Sequence, residues 1–170
     1  MALLTNGHRR IGLINDVQPV PAMIGRQAGY QQALAEYGVA FDETLVTRQS
    51  SDPPGGHKGL KALMTNPEPP TAVFCFNDRM AMGVYRGARE MGLRIPADLS
   101  VVGFDNQELI APYLDPPLTT MELPHYEMGQ WAMAHLLELI QNPAAQSEPH
   151  PVQHLCECPL IERASIKFVG

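Results

Sequence analysis

A chain of 170 residues can form one ordinary domain with a sizeable core, and 45% apolar residues place it among globular sequences. Eighteen acidic against twelve basic residues leave a formal charge of −6, which argues against nucleic-acid binding by this stretch, because phosphate contacts need clustered Lys and Arg. There is no apolar run long enough to span a membrane, and Met1–Leu4 lacks the basic start of a secretory leader, so a cytoplasmic location is expected.

In chain order, MALLTNG (1–7) reads as the last turn of a helix closed by a glycine. His8-Arg9-Arg10, the only basic cluster, is expected as solvated surface at the start of a strand, Arg10–Ile14, which ends in Asn15-Asp16. A helix over Met23–Tyr37 closes at Gly38, a strand follows at Thr47–Ser51, and SSDPPGG (50–56) is a loop. Gly56–Thr65 has helical spacing and stops at Asn66-Pro67. Thr71–Phe76 and Leu99–Phe104 are short apolar runs rich in β-formers; Asn77-Asp78 follows the first and Asp105-Asn106 the second. Between them Met80–Met91 is helical, stopped by Gly92 and Pro96.

Strand–helix–strand units of this length make parallel crossovers, and open parallel sheets bind ligands at the carboxyl ends of their strands. Three strands thus bring an Asn/Asp pair to one sheet edge. Helix N-capping is the plainer reading, strongest for Asp78 directly before a helix; Asp105, with no strong helix after it, and Asn77 are expected to face a ligand.

Further on, Gln107–Tyr113 reads as a short helix, Asp115-Pro116-Pro117 as a turn and Leu118–Glu122 as extended chain. Pro124–Leu139 is the longest helix expected, with Met128, Trp131, Ala132, His135, Leu136 and Leu139 on one broad face. A polar loop, Asn142–Pro151, then leads to an expected strand, Val152–Cys158, and an extended end, Ala164–Val169. An odd count of three cysteines suggests a reducing compartment. Cys75 reads as a small buried hydrophobe, and Cys156 and Cys158 as neighbours on one face of a strand. The spacing of Cys and His supports no metal site, and there is no nucleophile–base pair or Gly-rich phosphate loop.

The ordered segments GHRRIGLI, RQAGYQQALAEYG, PTAVFCFNDRMAMGVYRGAREMGLRIPADLSVVGFDN, PPLTTMELPHYEMGQWA and LIERAS resemble the C-terminal half of the effector-binding core of lac-repressor-type (LacI/GalR) transcription regulators, from about Gly7 to Ser165. The resemblance implies an α/β fold: an open, mostly parallel sheet with helices on both faces, as in the C-terminal lobe of type I periplasmic binding proteins. Residues 8–117 and 152–168 would form that lobe, and 124–142 a helix normally belonging to the other lobe. It implies a small effector, sugar-like, bound between lobes, a homodimer, no cofactor, and operator DNA met only through an N-terminal head that this sequence does not contain.

Carried over position by position, the effector pocket would include Arg26 of R-x-A-G-Y, Asn77 of N-D-x-M-A and Asp105 of G-[FY]-D. Arginine offers fixed donors, the amide donates and accepts, and the carboxylate accepts from two hydroxyls. Ser51 stands where many relatives carry an aromatic residue, and His125 where sugar-responsive ones have an aromatic; either is a pocket candidate. Pairing would use the helix after N-D-x-M-A, with Met82 and Arg86, and the segment after G-[FY]-D, with Tyr113 and Leu114. The leading expectation is a non-catalytic effector-sensing part of a transcription regulator. A solute-binding protein of a transport system is the alternative, and a small enzyme with Asp105 and His125 as acid and base a more distant one. The apolar face of Pro124–Leu139 is expected either to pack on its own lobe or to swap onto a second chain.

Overall fold

The computed structural model describes residues 1–142 and 152–170. Strands β1 (Ile11–Asp16), β2 (Val46–Gln49), β3 (Ala72–Cys75), β4 (Ser100–Asp105), β5 (Thr119–Glu122) and β6 (Leu160–Ile161) make one sheet in the order β2-β1-β3-β4-β5-β6. The first five run parallel, and β6 pairs antiparallel with β5. Helices α1 (Ala2–Thr5), α2 (Pro21–Glu36), α3 (Pro53–Met64), α4 (Asp78–Glu90) and α5 (His125–Gln141) alternate with the strands. The expected parallel α/β sheet is present, and all five parallel strands end on one edge.

Alternation along each strand divides the core between two faces. Ile14, Val73, Cys75 and Val101 join Leu60 and Leu63 of α3 and Met80, Val84 and Ala88 of α4. Leu13, Ala72 and Val102 join Leu3 and Leu4 of α1 and Tyr30 and Leu34 of α2. On the first face α3 and α4 meet backbone to backbone. A Cβ on Gly83 would stand 1.8 Å from the Pro53 carbonyl oxygen, and one on Gly56 would stand 1.9 Å from that of Met80. On the second face Tyr30 anchors α2 by donating its hydroxyl to the Ile11 carbonyl at 2.7 Å, and burial pushes that phenol up to about 12.

Several local expectations change. His8 is buried, not solvated: its ring bonds Thr71 Oγ1 at 2.8 Å and Ser100 Oγ at 2.9 Å, joining the starts of β1, β3 and β4. Helix α3 starts at Pro53 because Asp52 caps it, accepting from Gly55 N at 2.7 Å. The short helix expected over Gln107–Tyr113 contracts to a single tight turn at Ala111–Tyr113. Residues 152–159 form no strand, so Cys156 and Cys158 do not share a strand face. Pairing opposite the four-residue β5 begins only where the Pro159 carbonyl accepts from Glu122 N at 2.8 Å. Beyond Asn142, the expected polar loop through Pro151 lies outside the described residues.

After β6 the chain runs back along the sheet. Ser165 is buried; its carbonyl accepts from Val101 N at 2.9 Å, and its hydroxyl donates to the Val101 carbonyl at 2.6 Å and accepts from Thr119 N at 2.8 Å. Val169 N donates to the Asn6 carbonyl at 2.8 Å. Helix α5 is different: none of its residues is buried, and it does not pack on the sheet of its own chain. Trp131 stacks on His135 within the helix at 5.3 Å and on His154 of the following segment at 5.0 Å.

Candidate functional site

The strand ends at the carboxyl edge do different work despite their similar sequences. Asn15 is buried and turns inward: Nδ2 donates to the Met23 carbonyl at 3.1 Å and Oδ1 accepts from Asp16 N at 3.0 Å, which shapes the turn into α2. Asn77 is the N-cap of α4, with Oδ1 accepting from Met80 N at 2.8 Å, and Nδ2 donates to the Ser51 carbonyl at 3.3 Å. Its amide, expected to serve a ligand, is engaged by backbone at both ends, and Ser51 enters the arrangement through its main chain. Asp78, the expected cap, instead reaches under β4: its carboxylate is buried, accepting from Thr120 Oγ1 at 2.6 Å and from Gln107 N at 2.8 Å. Burial pushes its pKa up, against the pull of those two donors.

Asp105 and Asn106 close β4 with φ of 107° and 51°, a left-handed pair that reverses the chain. The surroundings fix it: Arg163 donates to Asn106 Oδ1 at 2.7 Å and to the Leu118 carbonyl at 2.8 Å, and Gln107 Nε2 donates to Asp105 Oδ2 at 3.3 Å. This geometry presents the Asp105 carboxylate to Arg26 of α2, whose guanidinium lies 3.5 Å away. Arg26 is sandwiched between two rings, 4.2 Å from the Phe76 centroid and 3.8 Å from that of Phe104. Both charged side chains are largely covered, at 12% and 17% exposure. Burial lowers the arginine and raises the carboxylate, and their mutual attraction opposes both shifts. At 3.5 Å the pair is loose, leaving guanidinium donors and carboxylate lone pairs for hydroxyls of a third molecule.

A cleft of about 750 Å³ opens beside this pair, lined by Asp105, Asn106, Gln107, Glu122, His125 and Tyr126 among others. His125 stands exposed in the first turn of α5 and lines the same cleft. The structure therefore brings Arg26, Asp105 and His125 to one place and joins Asn77 to Ser51 beside it. Reading the sequence alone missed Phe76, Phe104 and Arg163, and gave Asp78 only as a helix cap. The two phenylalanines had a signal: each immediately precedes the polar residue at its strand end. Arg163 lay within LIERAS without an assigned role.

The residues expected in pairing are placed as follows. Met82 and Tyr113 are exposed, Arg86 is exposed and ion-paired to Glu90 at 2.9 Å, and Leu114 turns inward onto the core. Tyr85, between Met82 and Arg86, donates to the Pro116 carbonyl at 2.8 Å and so holds this side of α4 against the segment that follows Tyr113. No group of side chains suited to a metal ion occurs among the described residues, and no helix among them is long and apolar enough to cross a membrane.

The sequence profile of the Periplasmic binding protein-like domain family matches residues 1–166. The chain is 40% identical, over 97% of its length and 47% of the relative's, to the HTH-type transcriptional repressor CytR of Escherichia coli (strain K12). It is 42% identical to the ribose operon repressor of Haemophilus influenzae, over 84% of this chain and 42% of that one. The chain thus spans about half the length of the curated relatives it matches. Among solved structures, a LacI family transcriptional regulator from Enterococcus faecium with bound ribose superposes with a TM-score of 0.85 at 30% identity, covering 99% of this chain and 60% of that one.

Proposed function

Because this chain belongs to the periplasmic binding protein-like domain family, and within it to the effector-binding cores of LacI-type transcription regulators, we propose that it is the effector-sensing and pairing part of such a regulator, without catalysis of its own. The observation that carries this reading is the Asp105 carboxylate at the carboxyl edge of the sheet, 3.5 Å from an Arg26 guanidinium that is itself held between Phe76 and Phe104. Donors and acceptors together suit a polyhydroxylated molecule, whose hydroxyls need both polarities. His125 reaches the same cleft as a further hydrogen-bonding group, while Asn77 and Ser51 shape the adjoining wall.

The effector class is a sugar-like small molecule, and ribose is the first to test, since the relative from Enterococcus faecium holds it. Met82, Arg86 and Tyr113 are the surface through which two copies would pair, and Leu114 supports that surface from beneath. Operator DNA would be met by a separate head of the kind the relatives' names indicate, in the cytoplasm. The relatives are named as repressors rather than as transport proteins, which favours this reading over a solute-binding protein.

A nuclear magnetic resonance titration with ribose tests the reading. One lobe supplies only part of an enclosing site, so binding weaker than about 1 mM is expected, with shifts confined to Arg26, Phe104, Asp105 and His125. Asp105→Ala should abolish those shifts. A spectrum unchanged by every pentose and hexose tried, up to solubility, would sink the proposal.

A further inference from the structure

Asp78 is the first residue of α4, yet the helix does not need it as a cap, because Asn77 already accepts from Met80 N. Its side chain turns away from the helix and enters the sheet, where it is wholly buried. Gly103 of β4 admits it: a Cβ there would stand 2.2 Å from Asp78 Oδ1. Inside, Oδ1 accepts from Thr120 Oγ1 of β5 at 2.6 Å and Oδ2 from Gln107 N at 2.8 Å. Burying a carboxylate costs free energy that two donors only partly return, so stability alone does not account for this arrangement.

Gln107 directly follows Asp105 and Asn106, whose positive φ values are sparsely populated for residues other than glycine and persist only where neighbours hold them. On the near side, Asp105 is still in register with Glu122 of β5. On the far side, the first backbone donor is Gln107 N, and Asp78 takes it. The Gln107 side chain then turns back, Nε2 donating to Asp105 Oδ2 at 3.3 Å. Arg163 holds the turn by the Asn106 side chain, whereas Asp78 holds it by the main chain. We infer that Asp78 is a positioning residue for effector binding: its buried carboxylate, admitted by Gly103, sets the left-handed turn that aims Asp105 at Arg26 and the cleft. For its ligand this rests on the effector reading above, while the turn itself can be measured with no ligand present.

Nuclear magnetic resonance on the full chain provides the test. In the parent, Asp105 and Asn106 should each show the strong contact between their own amide and α protons that marks a positive φ. The Gln107 amide should exchange about a hundredfold more slowly than in an unstructured chain. Asp78→Ala should weaken both proton contacts and lower the affinity for ribose by about tenfold or more, with the amide signals of β1 and β2, at the other end of the sheet, unchanged. Asp78→Asn, which can accept from Gln107 N and donate to the Thr120 hydroxyl, should restore the turn and the affinity. Thr120→Val removes the other donor to the same carboxylate and should leave the turn as in the parent, which separates positioning from a general loosening of the core. A folded Asp78→Ala with the turn unmoved would overturn the proposal, as would a Thr120→Val that disturbs the turn equally. Free exchange of the Gln107 amide in the parent would do the same, and that measurement needs no variant to fold. A parent spectrum indifferent to ribose counts against the effector reading, and the amide and α proton contacts then decide the placing of Asp105 by themselves.

Discussion

At the residue scale, Asp78 separates charge from hydrogen bonding. Its carboxylate is buried and its pKa raised by burial, yet two donors, Thr120 Oγ1 and Gln107 N, point at it. An asparagine can keep both contacts: its oxygen accepts from Gln107 N and its amino group donates to the Thr120 hydroxyl. Asp78→Asn is therefore expected to be within about 1 kcal/mol of the parent at neutral pH, whereas Asp78→Ala, which strands both donors, should lose about 2–4 kcal/mol. For an acid raised on folding, the favourable contribution is fully present below the ordinary aspartate range and is lost as pH rises through the raised value. Urea midpoints measured between pH 4 and pH 7 should fall with rising pH more steeply in the parent than in Asp78→Asn. Equal slopes would mean that Asp78 does not titrate there.

At the scale of elements, the α3–α4 pair shows what pattern reading captures. Apolar spacing located both helices, because each buries a stripe against the sheet. It missed their closeness, since Gly55, Gly56, Gly59, Gly83 and Gly87 read as neutral or unfavourable in a helix until the facing backbone is known. Gly83→Ala should destabilise the fold by about 3 kcal/mol or more, as its methyl meets the Pro53 carbonyl oxygen; a thermal melt checks this. The strand expected over Val152–Cys158 failed for a related reason: edge pairing depends on the partner's length, which composition does not encode. In the site, Asp105 was read from its place at a strand end and Arg26 only from the resemblance of R-x-A-G-Y, and the fold sets their side chains 3.5 Å apart. The cap falls to Asn77 rather than Asp78 because capping depends on a one-residue difference in where α4 begins.

At the scale of the whole molecule, pairing is proposed through the α4 side of the sheet, which carries Arg86 and Glu90 beside the exposed Met82 and Tyr113. A two-fold contact places the same patch on both copies, so one added charge appears in it twice. Met82→Glu is therefore expected to lower the average mass found by light scattering at about 100 µM toward that of one chain. An average mass unchanged by Met82→Glu would place the association elsewhere.

The stitches made by Ser165 and Val169 bear on when this sheet can come into being. Val101, Thr119 and Asn6, which sit in the middle and at the start of the sequence, have partners among its last few residues. A nascent chain that has displayed β1 to β5 but still holds residue 165 inside the ribosome has central strands with unanswered donors and acceptors. Completion therefore waits until residues 165–169 have emerged, and for that interval the half-built sheet is exposed to chaperones and to neighbouring nascent chains.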